Sequence, residues 1–219
     1  MLGEIVSGQV RGADPWIYID EITHRTVNVY TAMVASVQYA AMRAHDPSSR
    51  SILEEVADRL RAQARAQNLM RPPSGARPRR LDEDLEALCA AMSETILSER
   101  SIELTLFCEP IVIDSRRAWQ TRLIVSELVM NAVRHAFGED ETGAIAVEIR
   151  RGGKLLRCMV SDNGSASVSP SPGGGTTIVD ALVADLDGQV SRVFGTTGSA
   201  ICVQFPLSAD ASVEALTIL

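Results

Sequence analysis

Between residues 71 and 80 the chain reads Arg-Pro-Pro-Ser-Gly-Ala-Arg-Pro-Arg-Arg, and no regular element can run through it. The prolines have no N–H to give a helix or a sheet ladder, and the stretch offers no apolar anchor. It reads as a stiff, basic linker. The break divides the chain unequally. Upstream the apolar period is helical throughout, whereas downstream helical and strand periods alternate. The expected organisation is an arm (1–15), a helical unit (16–70), the linker (71–80), a mixed domain (81–208) and a tail (209–219).

In the upstream unit Ile22, Val29, Met33, Val37 and Ala40 form one apolar stripe, which predicts a helix over about 16–43. Asp46-Pro-Ser-Ser49 breaks that helix and starts another, with Asp46 or Ser48 as the N-cap. The second helix, about 49–69, carries Ile52, Leu53, Val56, Leu60 and Ala64 inward. Two long helices joined by a tight turn make an antiparallel hairpin. Such a hairpin cannot cover both stripes alone, so a homodimer through residues 16–70 is expected, closing a four-helix bundle.

Downstream the patterns predict helices at about 81–97, 115–136 and 176–187, and strands at about 102–107, 143–150, 154–161, 189–194 and 199–205. A Gly/Ser/Pro loop spans 164–175. Helices on one side of a mostly antiparallel sheet give an α+β sandwich. With 219 residues and 46% hydrophobic content there is material for both units. A net charge of −7 argues against a broad nucleic-acid-binding face. No apolar run reaches membrane-spanning length and no leader pattern opens the chain, so no membrane insertion and a cytoplasmic location are expected. Cys89, Cys108, Cys158 and Cys202 are scattered and read as small buried hydrophobes. His24, His45 and His135 have no metal-ligand spacing among themselves.

Three segments of the mixed domain carry chemistry. In Glu127-Leu-Val-Met-Asn131-Ala-Val-Arg-His135 the polar residues fall at i, i+4 and i+7/8, on one helix face. Carboxylate, amide and cation in one stripe suit an ion and phosphates, although a solvated amphipathic helix has the same period. Asp162-Asn163-Gly164 ends a strand. A carboxylate there can accept a hydrogen bond from an adenine amino group, and Gly164 lets the backbone turn close to a base; a plain Asp-Asn-Gly turn reads identically. Gly173-Gly174-Gly175-Thr176 opens a helix, whose small residues and N-terminal N–H groups favour phosphate.

In this order the three segments resemble the N box and the two glycine boxes of the GHKL ATPases, the superfamily that includes sensor histidine kinases. The resemblance implies a GHKL-type (Bergerat) α/β sandwich that binds Mg-ATP. It makes Asn131 the Mg²⁺ ligand, and Asp162 with Gly164 the adenine reader. Arg134, with His135 nearby, becomes the phosphate-neutralising cation, and Gly173, Gly175 and Thr176 the phosphate-facing turn. Glu127 would orient the ion's water shell or an incoming imidazole.

On the hairpin, Glu21-Ile-Thr-His24-Arg25-Thr-Val-Asn28 resembles the phosphoacceptor segment of the HWE-like histidine kinases, with His-Arg and an Asn one turn later. The resemblance covers about 16–207. It implies that His24 takes the γ-phosphoryl group of ATP, that Asn28 assists, and that an aspartate on a response-regulator receiver domain accepts it next. No sensor domain precedes the hairpin, so sensing is expected on a separate partner protein. His45 sits at the turn and reads as structural.

The pattern also departs from the family. Asp162-Asn-Gly-Ser-Ala166 lacks the second glycine of the first box. No Lys or Arg occurs from Met159 to Ser191, while Asp162, Asp180, Asp185 and Asp187 add four negative charges. These departures support an alternative: a histidine phosphotransferase of the same architecture, relaying phosphoryl groups through His24 without ATP. A pure relay has no physical need for an Mg²⁺ ligand, which favours the kinase reading. A partner-directed serine kinase of the same superfamily is a third reading, against which the His24 hairpin stands.

Overall fold

The computed structural model describes residues 15–97, 100–138, 141–165 and 174–207. Two antiparallel helices come first, α1 (Pro15–Arg43) and α2 (Pro47–Leu69). Proline at the first helical position starts each, where its missing N–H costs nothing. Asp46 caps α2, accepting from the Ser49 backbone N–H at 2.8 Å and the Ser49 hydroxyl at 2.9 Å. Those bonds favour the charged form and lower the Asp46 pKa.

The hairpin seam does not run along the stripe expected from sequence. Thr23 and Ala41 are buried on α1, with Val27, Tyr30, Val34 and Val37 half-buried between them. Ala57 and Ala62 are buried opposite, on α2. The Ile22, Val29 and Met33 stripe instead stands outside this seam, with Val29 53% and Met33 47% exposed. On α2, Ile52 and Val56 are exposed too, and only Leu53, Leu60 and Ala64 of the expected inner face are half-buried. A helix in a four-helix bundle meets two neighbours and carries two adjacent apolar stripes. The period alone does not say which stripe meets which neighbour.

The second unit begins with a two-residue strand, β1 (Arg79–Arg80), and α3 (Leu81–Met92), which runs on as a π-helical turn over Ser93–Leu97. Strands β2 (Ile102–Cys108) and β3 (Val112–Ile113) follow, then α4 (Ser115–His135). The chain continues through β4 (Gly143–Gly152), β5 (Leu155–Asp162), α5 (Gly174–Asp185), β6 (Gln189–Gly195) and β7 (Gly198–Pro206). The main sheet has the order β2-β4-β5-β7-β6, antiparallel except for the parallel β2–β4 pair. That parallel pairing requires a crossover, and α4 is part of it. The pairing of β1 with β3 has no sequence signature, because two residues cannot display a period.

Helices α3, α4 and α5 cover one sheet face. Leu85, Leu88, Ile124, Val125 and Val129 pack there against Ile145, Val147, Leu156, Val160 and Phe205. Each such side chain removed from water stabilises the fold by roughly 1.5–3 kcal/mol. Cys89 and Cys158 are buried and Cys108 half-buried, and burial pushes the Cys89 and Cys108 thiols up to about 12. Acidic residues open α3, where they complement the helix dipole. Asp84 takes a two-pronged clamp from Arg79, and Asp82 one from Arg80. The Arg80 guanidinium holds the Asp82 carboxyl below the usual carboxylate range.

Hairpin and sandwich touch where the linker turns. The Trp119 indole N–H donates to the Met70 carbonyl at 2.8 Å. Arg71 reaches Asp20 at 3.1 Å and Arg65 reaches Glu94 at 3.2 Å. No helix among the described residues is long and apolar enough to cross a membrane.

Candidate nucleotide and phosphoacceptor sites

Helix α4 is amphipathic as its period predicts. Leu128, Val129, Ala132 and Val133 are buried against the sheet, which turns Glu127, Asn131 and Arg134 away from the core. Asp114 fixes the start of the helix by accepting from the Arg117 N–H at 2.9 Å. Glu127 and Asn131 are half-buried, Arg134 and His135 exposed. Among the described residues none of these four side chains makes a hydrogen bond or an ion pair. A carboxylate, an amide, a guanidinium and an imidazole are thus all left available to a ligand.

The end of β5 lies against the end of this helix. A Cβ at Gly164 would sit 2.1 Å from the Ala136 carbonyl oxygen, so only glycine lets the turn close there. The three residues of the turn have separate roles. Asn163 continues the ladder sideways, its Oδ1 accepting from the Ala144 N–H at 2.8 Å. Asp162 Oδ1 accepts from the N–H groups of Gly164 at 3.1 Å and Ser199 at 3.2 Å, while Oδ2 accepts from the Ser199 hydroxyl. A carboxylate offers about four acceptor positions. Three are filled, and the one left on Oδ2 is a fixed acceptor for an amino group.

Ser199 was missed by sequence reasoning. It lies 37 residues after Asp162 and reaches it only because β7 pairs antiparallel with β5 in the register Asp162↔Ser199. Its neighbour Gly198 offered a signal, since φ there is +137° and a Cβ would meet the Asp162 carbonyl oxygen at 2.1 Å.

The acidic stretch after Met159 is milder in space than in sequence. Asp180 pairs with Arg192, and Asp185 with Arg116 and Gln120, all donors from outside that stretch. Gly173 lies outside the described residues. Gly175 and Thr176 fall in the first turn of α5, but their side chains lie outside the described set.

His24 and Asn28 form a second, separate group on α1. Both are exposed, and Asn28 Nδ2 lies 3.2 Å from His24 Nδ1. Arg25 is engaged by Glu21 at 2.6 Å, and the Thr31 hydroxyl donates back to the Val27 carbonyl at 2.9 Å. Among the described residues no hydrogen bond joins this pair to the α4–β5 cluster. No group of three or more His, Cys, Asp and Glu side chains among those residues could hold a metal ion by itself. The donor set fits Mg²⁺ of the kind that rides on phosphates, which needs one or two protein oxygens and keeps its waters. Asn131 and Glu127 are the oxygens on offer.

Residues 76–190, more than half of the chain, match the family model described as a histidine kinase-like ATPase domain. The chain belongs to that family. Related proteins extend the match into the hairpin. Sensor histidine kinase PdtaS of Mycobacterium tuberculosis is 28% identical over 179 residues, 78% of this chain and 36% of that protein. Blue-light-activated histidine kinase 1 of Erythrobacter litoralis is 22% identical over 192 residues, 85% of this chain and 52% of that one. The chain spans about a third of the length of the PdtaS relatives it matches.

In fold, this histidine kinase-like ATPase chain is similar to the histidine kinase domain of a blue-light-activated kinase from Erythrobacter litoralis. The TM-score is 0.59 at 21% identity, covering 84% of this chain and 98% of that one. It is equally similar to a bacterial phosphotransferase, with TM-score 0.59 at 9% identity and 88% and 97% coverage. The architecture is the helical hairpin followed by a GHKL-type α+β sandwich, as the sequence implied.

Proposed function

We propose that the chain is a cytosolic histidine kinase that phosphorylates His24 from Mg-ATP and passes the group to an aspartate of a response-regulator receiver domain. The observation that carries this reading is the unengaged stripe of Glu127, Asn131 and Arg134 beside an Asp162 carboxylate with one acceptor position left. A relay protein would need neither. Asp162, held by Gly164 and Ser199, selects adenine by accepting from its amino group. Asn131 would hold Mg²⁺, with Glu127 orienting the ion's water shell, and the ion would supply charge neutralisation and alignment of the phosphates. Arg134 adds charge toward them, with His135 at its side. Catalysis of this kind rests on positioning and charge.

His24 needs a lone pair on the attacking nitrogen. An amide at 3.2 Å can serve either tautomer. With its nitrogen toward Nδ1, the proton stays on Nε2. Turned over, Asn28 Oδ1 accepts from Nδ1–H, and Nε2 becomes the nucleophile toward the γ-phosphorus, with ADP leaving. Dimerisation through residues 16–70 follows from the exposed Val29, Met33 and Ile52. Input from a separate sensor protein belongs to the same reading.

The equal likeness to a phosphotransferase supports the relay as second reading. One experiment decides between them. The purified chain is incubated with Mg-ATP labelled in the γ-phosphate, and acid-labile, alkali-stable label is counted. The kinase reading expects label in wild type, none in His24→Ala, and a loss of at least about a hundredfold in Asn131→Ala. Bound ATP without label sinks it in favour of the relay. Label that survives His24→Ala sinks the assignment of His24.

A further inference from the structure

The basic linker has an unexplained neighbourhood. Where it turns between hairpin and sandwich it lines a cleft of about 1060 Å³, walled by Asp20 of α1, the end of α2, residues 71–79, and Ser115 and Arg122 of α4. Four arginines face it: Arg71, Arg77, Arg79 and Arg122. Their partners do not match them in number. Arg71 has Asp20 at 3.1 Å, and Arg79 takes both oxygens of Asp84. Arg122 comes no nearer to Asp84 than 3.7 Å, and its Nε is buried without a hydrogen-bond partner among the described residues. Arg77 makes no hydrogen bond or ion pair among those residues. Two carboxylates thus serve four guanidiniums, which leaves a local excess of two positive charges.

The excess is costly at Arg122, which is only 6% exposed. A buried charge without a hydrogen-bonded counter-ion is destabilising, and burial pushes the Arg122 pKa down accordingly. Guanidinium groups match phosphate oxygens in planar, paired geometry. A cleft of this volume suits a small molecule better than a flat partner surface.

We propose that this cleft binds a small, soluble, phosphate-bearing dianion, at a site separate from the nucleotide site. The separation comes from helix geometry. Arg122 precedes Asn131 by nine residues on α4, which is about 14 Å along the axis and half a turn around it, so the two side chains point from opposite faces. The walls come from both units, so an occupant ties the hairpin to the sandwich through the linker.

The test is calorimetric titration of the 219-residue chain with inorganic phosphate at pH 8 in EDTA, using Arg134→Ala to silence the phosphate-facing part of the nucleotide site. The expected result is saturable binding with Kd below about 1 mM in both wild type and Arg134→Ala. Arg77→Ala, an exposed change with no folding cost, should weaken it about tenfold, and Arg122→Gln at least as much. Four results would each overturn the proposal. They are no saturable heat, loss of binding in Arg134→Ala, unchanged binding in Arg77→Ala, and abolition by sodium chloride at matched ionic strength. If Arg122→Gln fails to fold, Arg77→Ala decides alone.

Discussion

The hairpin and the sandwich are similar in their proportion of apolar residues and bury them differently. Every buried member of the hydrophobic core lies at or after Leu81. Among the described residues the hairpin buries only Thr23, Ala41, Ala57 and Ala62, while Ile22, Val29, Met33, Met42 and Ile52 stay exposed. A sandwich closes its core within one chain; a two-helix hairpin has too little enclosed volume to do so. The sandwich therefore closes its own core, whereas the hairpin, in the proposed dimer, is half of a larger bundle. On that reading the groove lined by Val29, Ala32, Met33, Ser36, Val37 and Leu60 is the half-interface.

Met33→Asp puts that contrast under the greatest strain. Two-fold symmetry places the charge in the interface twice, so dimer affinity should fall at least a hundredfold, about 2.8 kcal/mol. Light scattering should report a monomer, with the sandwich still folded. A dimer that survives would mean that the exposed stripe is not the interface.

Gly164→Ala attacks the other unit. The new methyl group meets the Ala136 carbonyl at 2.1 Å, and the forced shift should cost roughly 2–3 kcal/mol. Because the same turn positions Asp162, ATP affinity should drop with it in a fluorescent-nucleotide titration, while the oligomeric state stays unchanged. Loss of the dimer as well would show the two units to be coupled more tightly than their separate cores suggest.

The smallest effect is at the clamp that opens the sandwich. Arg80 lowers the folded-state pKa of Asp82, so the pair stabilises the fold above the unfolded carboxyl pKa, and that contribution is lost as pH falls through the folded value. The Arg80 side chain is 43% exposed, so solvent screening keeps the contribution small at neutral pH. Asp82→Asn should lower the melting temperature at pH 7 by about 2 °C and flatten its decline between about pH 5 and pH 3. An unchanged acid limb would assign that decline to other carboxylates.

What was legible in the sequence follows from how far each signal travels along the chain. The α4 stripe and the Asp162-Asn-Gly164 turn are local patterns, and both stand where their period and punctuation placed them. The Asp46 cap is equally local. Ser199 is not, because its approach to Asp162 depends on the β5–β7 register. The pairing of β1 with β3, and the choice between two apolar stripes on α1, depend on neighbours that no window of sequence contains. The acidic run after Met159 misleads for the same reason, since Arg116 and Arg192 neutralise two of its four carboxylates from outside.

The hydrogen bond from Trp119 to Met70 gives the molecule a gauge of its own. The chain has two tryptophans, Trp16 and Trp119, and the second is almost wholly shielded from water at the joint between hairpin and sandwich. With Trp16→Phe, all tryptophan emission would come from that joint. Any motion that parts the two units would hydrate the indole and shift its emission to the red, so such a motion can be timed without attaching a label.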